Sequence, residues 1–180
     1  VSECIALIRG INVGRAKRIS MSDLRALFVD LGFLNVRTLL NSGNVLFRSP
    51  RPNVTKLAAA IEAAISEQCG FSVRVIVTTA ADLDRIVGEN PLRHVAVDYS
   101  RHLVAFVNAS GALAALRPLL KESWAPDMLA ITPRAAYLWC ATGILDSKLN
   151  LAFGRKAGDS VTTRNWATVL KLQAAANEAA

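Results

Sequence analysis

The spacing of apolar positions along the chain switches repeatedly between a strand-like and a helix-like period, and these switches outline its elements. Residues 4–9 are a short apolar run that predicts a first strand, closed by Arg9-Gly10. A polar loop, Asn12-Val-Gly14-Arg-Ala-Lys17-Arg18, follows. A helix is expected from about Ser20, with Asp23 as the matching half of a capping box. Leu24, Leu27, Phe28 and Leu31 repeat on one face of that helix, and Gly32 ends it. Residues 36–40 and 44–48 read as two strands joined by Asn41-Ser42-Gly43, with Gly43 supplying a positive φ. A helix over 54–69 buries Leu57, Ile61 and Ile65 and stops at Gly70, and residues 71–78 read as a fourth strand. The order is β-α-β-β-α-β, the split βαβ or ferredoxin-like arrangement.

The pattern then starts again. Thr79 and Asp82 cap a linking helix that carries Leu83, Ile86 and Val87, and Asn90-Pro91 breaks it. Residues 102–108 predict a strand, and Ser110 a cap for a helix bearing Leu113, Leu116 and Leu120. Two strands at 128–132 and 136–140 flank Pro133-Arg134, and a helix over about 147–156 follows. A last helix is expected to begin at Thr163, with Trp166, Val169 and Leu170 on one face. On this reading the terminal helix replaces the last strand of the second half. The fold class is α+β, two ferredoxin-like halves in tandem, the second ending in a C-terminal helix. The halves span 1–79 and 102–180, with a linking helix and connector over 80–101.

Composition narrows the class without naming a reaction. A chain of 180 residues with 52% hydrophobic content can bury a core without disulfides or a structural metal. No apolar run approaches the ~20 residues of a membrane-spanning helix. The opening residues lack a basic stretch followed by a long apolar one and read as a strand, which makes the cytoplasm the default compartment. Cys4, Cys69 and Cys140 are too few and too dispersed for a disulfide framework or a zinc site.

Charge adds a direction. The net charge of +7 divides into +5 over residues 1–52, −2 over 53–100 and +4 over 101–180. If the two basic ends meet, they form a positive face that attracts an anion.

Several local patterns bear on which anion that is. The Gly10–Gly14 loop lies between a strand and a helix, where backbone N–H groups can cradle an oxyanion. Its spacing matches neither a dinucleotide fingerprint nor a P-loop, and a turn that needs positive φ explains the glycines equally well. Ser42 and Asn44 either stabilise the hairpin or face a ligand. The strand bearing Asn44 is expected to run antiparallel beside the first strand. From this we expect that the hairpin and the Gly10 loop do not share one end of the sheet, so that the second half completes any common site. Thr163 as a helix cap would put Arg164 and Asn165 in the first turn, where a cation is disfavoured unless an anion compensates. Trp166 reads first as core. Ser147 and Lys148 are adjacent on a helix and point about 100° apart, a poor geometry for a catalytic dyad. Ser147 is better read as a cap and Lys148 as an anion ligand. With His94 and His102 the only histidines, no metal-ligand spacing or nucleophile elbow is present.

Four stretches carry a resemblance: Leu7-Ile-Arg9-Gly10-Ile-Asn12-Val-Gly14, Leu31-Gly32-Phe33, Ser42-Gly43-Asn44-Val-Leu-Phe47, and Ser147-Lys148-Leu149 with Thr163-Arg164-Asn165-Trp166. Together they resemble the uncharacterised bacterial family catalogued as domain of unknown function 1697. The resemblance implies an α+β fold built from ferredoxin-like halves and implies no activity. Asn41, Asp146 and Ala167 depart from its usual pattern.

Three readings follow. The first is a module that binds a phosphate-bearing small molecule or nucleotide in a basic cleft between the halves. Its candidate ligand-binding residues are Arg9, Asn12, Gly14, Lys17, Ser42, Asn44, Ser147, Lys148, Arg164, Asn165 and Trp166. The second is an RNA- or DNA-backbone-binding protein. It is weakened because Phe47 is the sole aromatic in the strands that would stack bases, and aromatics are 6% of the chain. The third is an oligomeric scaffold without a ligand. No cofactor, catalytic residue, metal ligand or membrane partner is implied.

Overall fold

A computed structural model of the chain describes residues 1–50 and 52–178. The first sheet is built from β1 (Ser2–Ile8), β2 (Leu34–Leu39), β3 (Asn44–Ser49) and β4 (Val75–Thr79), in the order β2-β3-β1-β4. All three pairings are antiparallel. That order follows from the β-α-β-β-α-β succession once each helix crosses over to the far neighbour.

Period-two alternation divides each strand between two faces. Cys4, Ala6 and Ile8 of β1, with Val45 and Phe47 of β3, face α1 (Met21–Asp30) and α2 (Val54–Cys69) and form the core. Phe28, Phe33 and Phe47 meet there with ring centroids 4.5–5.8 Å apart. Ile5, Leu7, Leu46 and Ile76, the alternate residues, are buried too. Neither strand face therefore presents an aromatic ring for base stacking.

The helices begin and end where their sequences direct. Ser20 Oγ accepts the Asp23 N–H at 3.0 Å and starts α1. Asn53 does the same for Lys56 and starts α2, which ends at Gly70 with φ +73°. The fourth strand is shorter than the apolar run. Residues 71–74 stay outside it, the Val75 N–H donates to Glu62 Oε1 at 2.8 Å, and Val73 still reaches the core.

The second sheet repeats the topology with β5 (His102–Val107), β6 (Met128–Ile131), β7 (Ala136–Trp139) and β8 (Val161–Asn165), ordered β6-β7-β5-β8 and antiparallel throughout. Leu103, Ala105, Ala136 and Leu138 pack against α4 (Ser110–Leu116) and α5 (Lys148–Ala157).

Two expectations are corrected here. Ser110 is the first helical residue and not the cap, because Ala109 holds the cap position without a side-chain bond. More important, residues 163–165 are not helical. Val161, Thr162 and Thr163 are β-branched and pair with β5, so the second half has its last strand. Asn165 is the true cap of α6 (Trp166–Asn177), its Oδ1 accepting the Thr168 N–H at 2.9 Å.

By its internal contacts the chain divides into two compact units. One is Val1–Leu83 with the stretch from Leu172, and the other is Asp84–Lys171. The division falls within α3 (Ala80–Gly88) and within α6. Arg37 of β2 pairs with Glu3 of β1 and donates to the Ala175 carbonyl at 3.0 Å, which ties the end of α6 to the first sheet.

Candidate functional site

Residues 9–18 carry Arg9, Arg15, Lys17 and Arg18, all exposed, and no acidic side chain. Like charges this close repel, so the loop needs internal bonds to hold one shape. Ile11 and Ile19 are buried and anchor its two ends. The chain turns through positive φ at Gly10 and, between the two isoleucines, at Asn12, Gly14 and Lys17. Asparagine tolerates that region because its short amide can bond locally. Here Asn12 Oδ1 accepts the Ile19 N–H at 3.0 Å and Nδ2 donates to the Ile19 carbonyl at 2.9 Å. Its own N–H donates to the Lys17 carbonyl at 3.0 Å. Arg18 Nη1 donates to the Gly14 carbonyl at 3.1 Å, and Lys17 Nζ to the Ser72 carbonyl at 2.9 Å. Asn12 is thus a staple of the loop, and the cations lie along its outside.

The hairpin turn lies against this loop. In an antiparallel pair the end of one strand is beside the start of its neighbour, and Leu7 is paired with Asn44. The Ile8 N–H donates to the Gly43 carbonyl at 2.8 Å. A Cβ on Gly43, whose φ is +79°, would sit 2.8 Å from the Ile8 oxygen, so glycine is required there. The expectation that the hairpin and the Gly10 loop occupy different ends of the sheet is therefore wrong. Asn44 is fully buried, and its Nδ2 donates to the Leu39 carbonyl and Ser42 Oγ, both at 3.0 Å. Its amide shapes the turn.

Beside the loop lies a cavity of about 610 Å³, lined by Asn12, Arg18, Ser20, Asp23, Asn41, Gln68 and Cys69 with aliphatic Ile19 and Ala26. Ser20 Oγ donates to Asp23 Oδ2 at 2.7 Å while capping α1. Burial, aided by the Asp23 charge, pushes the Cys69 thiol up. Sequence reasoning found Asn12 but missed Arg18, Asn41, Gln68 and Cys69 as lining residues. They come from three separate segments, the loop, the hairpin turn and the end of α2, and share no local motif.

The remaining predicted residues lie in the second unit, around one end of its sheet. His102 begins β5, while Trp139 ends β7 and Asn165 ends β8 at the same level. Ser147 is buried, accepts the Asn150 N–H at 2.9 Å as the α5 cap, and donates to Asp127 Oδ2 at 2.7 Å. Asp127 Oδ1 accepts the Ala141 N–H at 2.8 Å. Trp166 is core, stacked on His102 with centroids 5.1 Å apart.

His102 is fully buried, and burial pushes its pKa down to about 4. Asn90 Oδ1 is taken by the Leu92 N–H, so its Nδ2 donates to His102 Nε2 at 3.2 Å. The proton of the neutral ring is then on Nδ1, which has no hydrogen-bond partner. Lys148 is exposed.

Arg164 requires a correction. It stands on β8, so the argument from a cation at a positive helix end no longer applies to it. Its Nη1 donates to Thr162 Oγ1 at 3.1 Å and to the Thr163 carbonyl at 2.9 Å, and burial lowers its pKa to about 10. The predicted set thus forms two groups, Arg9 to Asn44 in the first unit and Ser147 to Trp166 in the second.

Residues 1–137 match the family model described as protein of unknown function (DUF1697). The chain belongs to this family. The loop, the hairpin and the cavity all fall inside the matched residues, whereas Ser147 to Trp166 fall beyond them. No curated protein matches the chain. Among solved structures it is similar to a conserved bacterial protein, SP0830, from Streptococcus pneumoniae. The TM-score is 0.76 at 18% identity, covering 97% of this chain and 98% of the other, a likeness of fold.

Proposed function

We propose that this chain binds a phosphate-bearing small molecule or nucleotide at the basic end of its first sheet. The observation that carries this reading is the concentration of Arg9, Arg15, Lys17 and Arg18 on a loop stapled by Asn12, at the mouth of a polar cavity. A loop already held in one conformation loses little entropy when an anion arrives. Gly14 and Lys17 contribute turn geometry, and Asn12, Ser42 and Asn44 position the backbone rather than touch the ligand. The reading rests on the first unit alone. We also read the protein as cytoplasmic, supported by its three free cysteines. Among the described residues no helix is long and apolar enough to cross a membrane.

A thermal-shift screen tests the proposal. Nucleotides, sugar phosphates and short RNA are compared at two salt concentrations. A ligand present at a hundred times its Kd stabilises by about 2.7 kcal/mol, well within reach of the method. We expect a shift with small phosphate esters that an Arg15→Gln/Arg18→Gln variant lacks. Contact with a nucleic-acid backbone, the alternative use of the same cations, would instead weaken steeply with salt. The absence of any shift from all of these compounds overturns the proposal.

A further inference from the structure

The cavity beside the basic loop has a composition of its own. Among its described lining residues, Arg18 is the one cation and Asp23 the one anion. A row of phosphates would set its second and third charges near a carboxylate, whereas a single phosphate on the loop side does not. The other lining groups are hydrogen-bonding neutrals: the Ser20 hydroxyl and the amides of Asn41 and Gln68. Among the described residues neither amide has a hydrogen-bond partner in the protein, unlike those of Asn12 and Asn44. None of the described lining residues is aromatic, so a nucleobase would find no ring on which to stack. A carboxylate and two amides are acceptors and donors suited to vicinal hydroxyls. At about 610 Å³ the space exceeds what a lone phosphate ion fills and lies within the range of small-molecule sites.

From this composition we infer that the cavity takes the sugar or polyol part of a monophosphate ester whose phosphate lies on the Arg18 side of the loop. The inference rests on the anion-binding reading and adds to it the class of ligand. Asp23 and Gln68 are the hydroxyl-recognising groups, placed on α1 and at the end of α2. Asn41 reaches the same space from the hairpin turn, which the antiparallel pairing of β1 with β3 sets beside the loop.

Cys69 supplies a reporter for occupancy. It lines the cavity and is partly exposed, while Cys4 and Cys140 are buried. The test measures the rate of Cys69 modification by N-ethylmaleimide at pH 8 together with calorimetric affinity. The probes are ribose 5-phosphate, glucose 6-phosphate, adenosine monophosphate and inorganic phosphate. We expect a sugar phosphate to slow modification at least fivefold and to bind at least tenfold tighter than inorganic phosphate. Gln68→Ala and Asp23→Asn are exposed-site changes, with folding checked by circular dichroism. Each should bring the sugar phosphates to the level of inorganic phosphate and leave phosphate binding itself intact.

Equal binding of all four probes without protection of Cys69 overturns the inference and leaves the anion site standing. Tighter binding of adenosine monophosphate than of either sugar phosphate overturns the sugar assignment in favour of a nucleotide. Failure of every probe to bind overturns both readings.

Discussion

The two units share one topology but gather their polar groups at opposite ends of the sheet and treat them in opposite ways. These are the end of β1 and start of β3 in the first unit, and the start of β5 and end of β7 in the second. In the first, polar side chains at the end of β1 and the start of β3 bond to the local backbone, and the charged ones are exposed. In the second, the polar groups at the end of the sheet are buried: His102, Asp127 and Ser147 are each less than a tenth exposed. An exposed cationic loop costs little to maintain and remains available to a ligand. A buried network gives stability only while each member keeps its partner. Strand order alone therefore does not locate a site. What separates the two ends is the burial of their polar groups and whether the partners of those groups lie inside the protein.

This contrast can be tested where it is strongest. All three tryptophans, Trp124, Trp139 and Trp166, lie in the second unit, so their fluorescence follows that unit through urea unfolding. Asp127→Ala removes the carboxylate that accepts from the buried Ser147 hydroxyl and the part-buried Ala141 N–H. We expect a loss of about 3 kcal/mol in the tryptophan-detected transition. A loss below about 1 kcal/mol would mean that the network is more accessible to water than its burial indicates.

Acid should act next, and through His102. Its pKa of about 4 in the folded chain lies below the ordinary 6.5, so the unfolded chain takes up the proton first as the pH falls. Stability from this group is therefore complete above pH 6.5, declines between 6.5 and about 4, and is flat below. The decline amounts to about 3 kcal/mol. His102→Gln should remove that portion of the pH dependence while the carboxylate titrations persist. An unchanged profile would refute the role given to His102.

The smallest effects on stability belong to the first unit. Asn12→Ala leaves the Ile19 N–H and carbonyl without their amide partner, and the expected cost is about 1–2 kcal/mol by far-ultraviolet circular dichroism. Arg18→Gln, by contrast, should change stability by less than about 0.5 kcal/mol and yet abolish binding of small phosphate esters. A large stability loss from Arg18→Gln would make the basic loop structural and remove the contrast between the units.

The amino-acid sequence by itself determined most of the elements. Ser20 with Asp23, Thr79 with Asp82 and Ser147 all cap helices by bonds within three residues, so the local chain carries the whole signal. Gly43 marked its turn for the same reason. The strand β8 was not legible, because Thr163 followed by Arg164 and Asn165 imitates a helix start. Only pairing with β5, some sixty residues away, holds those residues extended.

Tertiary structure also decided which polar residues face a ligand. Asn12, Asn44 and Ser147 look like binding residues in sequence. In the fold, bonds to Ile19, Leu39 and Asp127 engage them in the protein's own structure. Asn41 and Gln68 carry no local signal and acquire their place at the cavity from the packing of α1, α2 and the hairpin. The physical reason is one of range. Caps and turns are settled by neighbours along the chain, whereas burial and the choice of hydrogen-bond partner are settled by residues that only folding brings together.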